Sequence, residues 1–257
     1  MFTDSPITRA LRGGKIVLPT ADDLIDRLGG DLLRIAHKTH QERGVFHLAL
    51  SGGSTPQALY RRLMIDPGYR LMPWRSTHLW LVDDRCVPFT DERSNWKMIK
   101  ELIVDHADIP ADQIHPMPVL DRAGDRKYEA VLKSWLQTPQ AGGRLDYILL
   151  GMGPDGHTAS LFPETEGLKE QSRWVIFNDG EKVIAPRPRM TMTYPLINNA
   201  RHINLLVTGE NKFPILQRVA AMPHDVTNLP VTGIAPAKED STMTWYFDQA
   251  AMAGKKP

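Results

Sequence analysis

VFHLALSGGSTPQALYRRLM, residues 45–64, carries three signals in succession. Val45 to Leu50 is an apolar run of strand length. Ser51 to Thr55 is a glycine-rich turn. Gln57 to Met64 is helical, with Thr55 expected as N-cap and Pro56 at the first helical position. Strand, glycine turn and helix together make half of a βαβ unit. Free N–H groups and the positive end of the helix dipole make such a turn attractive to an anion. Gly52 and Gly53 allow close backbone approach, and the hydroxyls of Ser51, Ser54 and Thr55 add donors. A tight turn before a capped helix explains the same residues without a ligand, so the loop alone decides nothing.

The same logic extends outward. Upstream, Leu24, Ile25, Leu28, Leu32, Ile35 and Ala36 mark an amphipathic helix from about Ala21 to Arg43, closed by Gly44. Downstream, His78 to Val82 reads as a strand, DDRCVPFTDER as a loop, and Ser94 as the cap of a helix running to about Asp105. A helix spans roughly Arg126 to Leu136. Leu145 to Leu150 is a strand breaking into GMGPDGHTASLFPE. Trp174 to Phe177, Met190 to Thr193, Ile203 to Val207 and Met243 to Phe247 are strand-like, and Glu210 to Met222 is helical. The Pro-rich stretches HPMP and APRPRM read as ordered loops. Alternating strands and helices predict an α/β fold with a mainly parallel sheet covered by helices on both faces, its ligands beyond the carboxyl ends of the strands. No repeat, low-complexity tract or dividing linker is visible, so residues 1–257 are expected to form one domain.

The 31 Lys and Arg against 30 Asp and Glu leave a net charge of +1, which argues against a nucleic-acid surface and means that any bound anion is met locally. One cysteine, Cys86, excludes an intramolecular disulfide framework and fits a reducing compartment. It is expected to be a small buried hydrophobe. The amino-terminal stretch lacks an apolar core of signal-peptide length, and no run approaches about 18 apolar residues, so a cytoplasmic protein without membrane contact is expected. Oligomeric state is left open, with a monomer favoured.

Several motifs compete. Ser51 to Thr55 lacks the Gly-Lys-Ser/Thr ending of a Walker A loop. Ala49 to Gly53 approximates a nucleophile elbow but lacks its first glycine. Gly151 to Gly156 satisfies G-x-G-x-x-G formally, yet Pro163 leaves little room for the pyrophosphate-binding helix. His157 follows at once. Asp155, two residues before it, can orient the imidazole and favour its charged form during proton transfer. A histidine merely capping a loop is the plain alternative. It prevails for His37 and His40, whose i, i+3 spacing on an exposed helix face is too little for a metal site.

Taken together, SGGSTP, the Asp83-Asp84-Arg85 triplet followed by Ser94-Asn95, and GMGPDGHTASLFP resemble the 6-phosphogluconolactonase branch of the glucosamine-6-phosphate isomerase/6-phosphogluconolactonase family. The likeness runs from the first helix to TWYFDQAA, with DGHTASLFP its most specific part. It implies a Rossmann-like fold and a metal-independent, cofactor-free hydrolase of the pentose phosphate pathway that opens 6-phosphoglucono-1,5-lactone. By that resemblance His157 is the general acid and base, Asp155 its orienting partner, and Arg85 a catalytic residue. Ser51, Gly52, Gly53, Ser54, Thr55, Asp83, Gly153, Arg189 and Lys212 are implied to bind the substrate and its phosphate, with Arg187 a further candidate. Asp84 stands where the family has Glu, which leaves its contacts open, and LPVTGIAP is less like the family.

Two rivals share the resemblance. A glucosamine-6-phosphate isomerase or deaminase would use the carboxylate at Asp83 to move a carbon-bound proton. Its loop usually ends in Asn-Glu-Pro, and a tyrosine stands where this chain has Arg85. A non-catalytic sugar-phosphate sensor would need a DNA-binding module, for which the first 20 residues are too short.

Overall fold

A computed structural model describes residues 5–253. Residues 1–4, part of the amino-terminal stretch read above, lie outside the described residues.

Helix α1 (Pro6–Ala10) and strand β1 (Gly14–Leu18) precede the long helix α2 (Ala21–Arg43). Thr20 caps α2 by accepting from the Asp23 amide, and Gly44, with φ of 74°, closes it with an N–H to the His40 carbonyl. Strand β2 (Phe46–Leu50) leads through the glycine turn into α3 (Gln57–Ile65), and β3 (Thr77–Leu81) follows. The chain continues through β4 (Asp83–Arg85), α4 (Asn95–Ile99), β5 (Ile114–His115), α5 (Gly124–Leu136) and β6 (Tyr147–Leu150). It ends with β7 (Val175–Asn178), β8 (Arg189–Met192), α6 (Tyr194–Ile197), β9 (His202–Val207), α7 (Phe213–Ala221), β10 (Thr242–Asp248) and α8 (Gln249–Ala253).

Seven strands form one parallel sheet in the order β1-β10-β9-β6-β2-β3-β5. Every residue of β2, β3 and β6 is buried, so both sheet faces are covered and burial does not alternate along the strands, His47, Thr77 and His78 included. Strand order turns around at β2. From it the chain moves outward to β3 and β5, whereas β6 returns to its other side, so β2 and β6 flank a topological switch point. Leu50 lies opposite both Leu81 and Leu149, and the loops leaving β3, β2 and β6 therefore emerge side by side.

Three expectations are corrected. The first helical residue after the glycine turn is Gln57, with Pro56 at the cap, and Thr55 makes no capping bond. Gln57 N–H instead closes a turn on the Ser54 carbonyl. Asp83–Arg85, expected within a loop, is a strand. It pairs antiparallel with β8, which pairs with β7, in a separate three-stranded sheet. β7 and β8 thus stand outside the parallel sheet. Short triplets of charged residues carry no strand periodicity, and only the partner across the ladder creates one. Strands β1 and β5, at the sheet edges, and the short α1 were not expected from sequence. β1 is only partly buried and β5 has two residues, too few for a pattern.

Candidate active site

Four neighbouring strands, β9, β6, β2 and β3, deliver their following loops to one cleft of about 270 Å³. Ser51 to Thr55, Asp83, Arg85, Gly153, His157, Arg189 and Lys212, the residues that the resemblance singles out, all line it. Asn95, Ala159, Phe162 and Ile184 also line it, with no site role assigned to them from sequence. Asp155 stands behind the imidazole. Arg187 donates to the Gly180 carbonyl and does not line the cleft.

The Asp-Gly-His sequence creates its own geometry. Asp155 Oδ1 accepts from the His157 amide at 3.1 Å, a turn that Gly156 completes with φ of 86°. The same oxygen accepts from His157 Nδ1 at 2.6 Å, which assigns the proton to Nδ1 and leaves Nε2 as the base. Burial pushes the Asp155 carboxyl up, but hydrogen bonds and charge from His157 outweigh it and hold the group below its usual range. The imidazole packs against Phe162, ring centroids 4.5 Å apart. Gly153 is required where it stands: a Cβ there would lie 2.1 Å from both Cε1 and Nδ1 of His157.

On the opposite wall the amides of Gly52 to Thr55 have no acceptor among the described residues, so donors remain open at the start of α3. The floor of this loop is fixed by Ser51 Oγ donating to the Leu149 carbonyl at 2.8 Å and by Tyr60 Oη donating to the Ser51 carbonyl at 2.6 Å. A Cβ at Gly52 would lie 1.9 Å from Asn95 Oδ1, so glycine permits the loop to pack on α4.

Three cations enter the cleft. Arg85 and Arg189 face each other across β4 and β8, a like-charge pairing that disfavours the sheet unless an anion shares it. Burial, and then Arg85, push the Arg189 guanidinium below its ordinary value. Arg189 donates to the Ile184 carbonyl and lies over the Phe162 ring, while Arg85 Nε is buried without a partner among the described residues. Lys212, in the turn after β9, donates to the Met152 carbonyl at 2.6 Å and is lowered by burial against the pull of Asp155. Such a donor set suits a phosphorylated, hydroxyl-rich ligand.

Asp84 points the other way. Its carboxylate is fully buried and accepts from the amides of Arg85, Asn95 and Trp96 and from the Ser94 hydroxyl. It caps α4 and does not line the cleft, which settles the contacts that the Glu-to-Asp departure left open. Burial pushes this carboxyl up to about 6 against the pull of those amides. Cys86, expected to be a small buried hydrophobe, is only half-buried, with its thiol pushed up to about 11 by burial. Among the described residues no group of three or more His, Cys, Asp or Glu side chains is placed to hold a metal ion.

A family described as glucosamine-6-phosphate isomerases/6-phosphogluconolactonase matches residues 19–245. The chain belongs to that family. A 6-phosphogluconolactonase of Haemophilus influenzae is 34% identical over 240 residues, covering 92% of this chain and 97% of that protein. The human GDH/6PGL endoplasmic bifunctional protein is 36% identical over 99% of this chain, which spans only 32% of that protein's length. Among solved structures, the 6-phosphogluconolactonase from Trypanosoma cruzi superposes with a TM-score of 0.79 at 26% identity, covering 94% of this chain and 96% of that one. The family description names two activities, so membership leaves the choice of reaction to the site.

Proposed function

We propose that this chain is a 6-phosphogluconolactonase, hydrolysing 6-phosphoglucono-1,5-lactone to 6-phosphogluconate in the second step of the oxidative pentose phosphate pathway. The observation that carries this reading is His157 with Nδ1 committed to Asp155, its ring on the wall of a cleft that also holds Arg85, Arg189 and Lys212. The near full-length likeness to named lactonases supports it.

In the proposed reaction a water oxygen attacks the lactone carbonyl while His157 Nε2 takes one of its protons. Asp155 stabilises the imidazolium formed. Arg85 donates to the oxyanion of the tetrahedral intermediate; the Gly153 and Gly156 amides are already spent on the His157 and Gly153 carbonyls. Collapse breaks the bond to the ring oxygen, which takes the proton back from His157. Lys212 and the Ser51–Thr55 loop hold the phosphate, so that remote binding energy orients the carbonyl.

Several further readings belong to the same proposal. One continuous apolar cluster from Ile7 to Met252 supports a single domain. The single half-buried cysteine fits the cytoplasm, and no helix of the described residues is long and apolar enough to cross a membrane. The sugar-phosphate lactone is the small-molecule partner, with a monomer favoured.

The test is the initial rate of opening of freshly generated lactone, followed by acid release at constant pH beside an enzyme-free blank. A rate far above blank supports the reading. A rate equal to blank, with turnover of glucosamine-6-phosphate, replaces it by the isomerase.

A further inference from the structure

Asp83 is a buried carboxylate at the cleft wall that the proton-transfer steps above do not use. Its Oδ2 accepts from the Ser160 hydroxyl at 2.6 Å. On the other side Asn95 Nδ2 donates to the Asp83 main-chain carbonyl at 2.9 Å and stands only at 3.5 Å from Oδ1. Among the described residues no Lys, Arg or His forms an ion pair with it, although Arg189 feels its charge. An ionised carboxylate is an acceptor only, with about four lone-pair positions, so most of this one's capacity is left open toward the cleft. The groups best matched to it are hydroxyl donors.

Ser160 sets this arrangement. It is completely buried and is itself held from both ends, its amide donating to Thr191 Oγ1 at 3.1 Å and its carbonyl accepting from Asn178 Nδ2 at 2.8 Å. Between His157 and Ser160 the chain turns at Ala159, whose φ is 50°. That turn sends the imidazole to one part of the cleft and the serine hydroxyl to Asp83. A short bond from a fixed hydroxyl holds the carboxylate in one orientation, with its remaining lone pairs placed to receive hydroxyl hydrogen bonds.

We propose that Ser160 is a positioning residue that fixes Asp83 as the acceptor for ring-derived hydroxyls of the sugar phosphate, and thereby sets selectivity for hydroxylated substrates. The assignment rests on the lactonase reading for its substrate, but it is tested by binding alone.

Calorimetry on the whole chain compares 6-phosphogluconate with its 2-deoxy and 3-deoxy analogues, and lactone turnover is recorded separately on the same samples. Wild type should bind 6-phosphogluconate at least about tenfold more tightly than one of the analogues, the scale of one charge-assisted hydrogen bond. In Ser160→Ala that ratio should fall below about threefold. A Ser160 with a merely structural role would weaken all ligands together and leave the ratio unchanged, which overturns the proposal. Should Ser160→Ala fail to fold by thermal melting, Ser160→Cys, close in volume but a weak donor, carries the same comparison. Discrimination without lactone turnover would remove the proposed function and leave the role of Ser160 standing. A wild type that binds all three ligands equally, or none, overturns that role whether or not it turns over lactone.

Discussion

Asp155 Oδ1 takes two hydrogen bonds from His157, from Nδ1 at 2.6 Å and from the backbone amide at 3.1 Å. One oxygen thus fixes both the turn and the tautomer of the base. His157→Ala should lower kcat at least about 100-fold, the usual worth of a general acid-base group, and Asp155→Asn should lower it by a smaller factor. Initial rates with a blank subtracted measure both, and melting curves should stay near wild type.

Gly153 gives a steric test of the same pair. Gly153→Ala places a methyl 2.1 Å from the imidazole, so His157 must leave its position. Turnover should fall nearly as far as in His157→Ala while the chain still folds. Activity within about threefold of wild type would mean that this histidine position is not the one used in catalysis.

Lys212→Ala should act on binding. Its ammonium lines the cleft and takes no part in the proposed proton transfers, so KM should rise about tenfold or more with kcat changed far less. Steady-state kinetics separates the two constants.

Asp84 should matter for stability more than for chemistry. Asp84→Ala leaves the Asn95 and Trp96 amides and the Ser94 hydroxyl at the start of α4, and the Arg85 amide in β4, without their acceptor, at a cost of about 1–3 kcal/mol. Thermal or urea unfolding should show the loss.

The protein should lose stability in mild acid. His47, His78 and His115 form a buried cluster with Trp80, and burial pushes them down to about 3, 4 and 3. Unfolded histidine protonates near 6.5, so between about pH 6.5 and 4 the unfolded chain binds the extra protons and stability falls as pH falls. Each neutral buried ring contributes up to about 1.4 kcal/mol per pH unit there. Asp84, raised to about 6, opposes this by a single proton and does not reverse the sign. Urea midpoints at pH 7 and pH 5 check it, and His78→Gln should flatten the dependence.

Much of this was readable before any coordinates because it is local. The Asp-Gly-His turn closes within three residues, α2 carries its own cap at Thr20 and its own stop at Gly44, and the buried strands are mainly apolar runs. Near-neighbour sterics and hydrogen bonding act within such segments, so their outcome is written in adjacent residues. What the fold decided is relational. Ser160 meets Asp83 from 77 positions away, Arg85 faces Arg189 across a ladder between strands far apart in the chain, and Asp84 turns from the cleft to cap a helix. Nothing in a charged triplet tells which of its side chains will face a ligand, because that depends on the strand it pairs with. The residue types were set by the chain; which of them share a cleft was set by the order in which seven parallel strands assemble, since only that order brings the ends of β9, β6, β2 and β3 together.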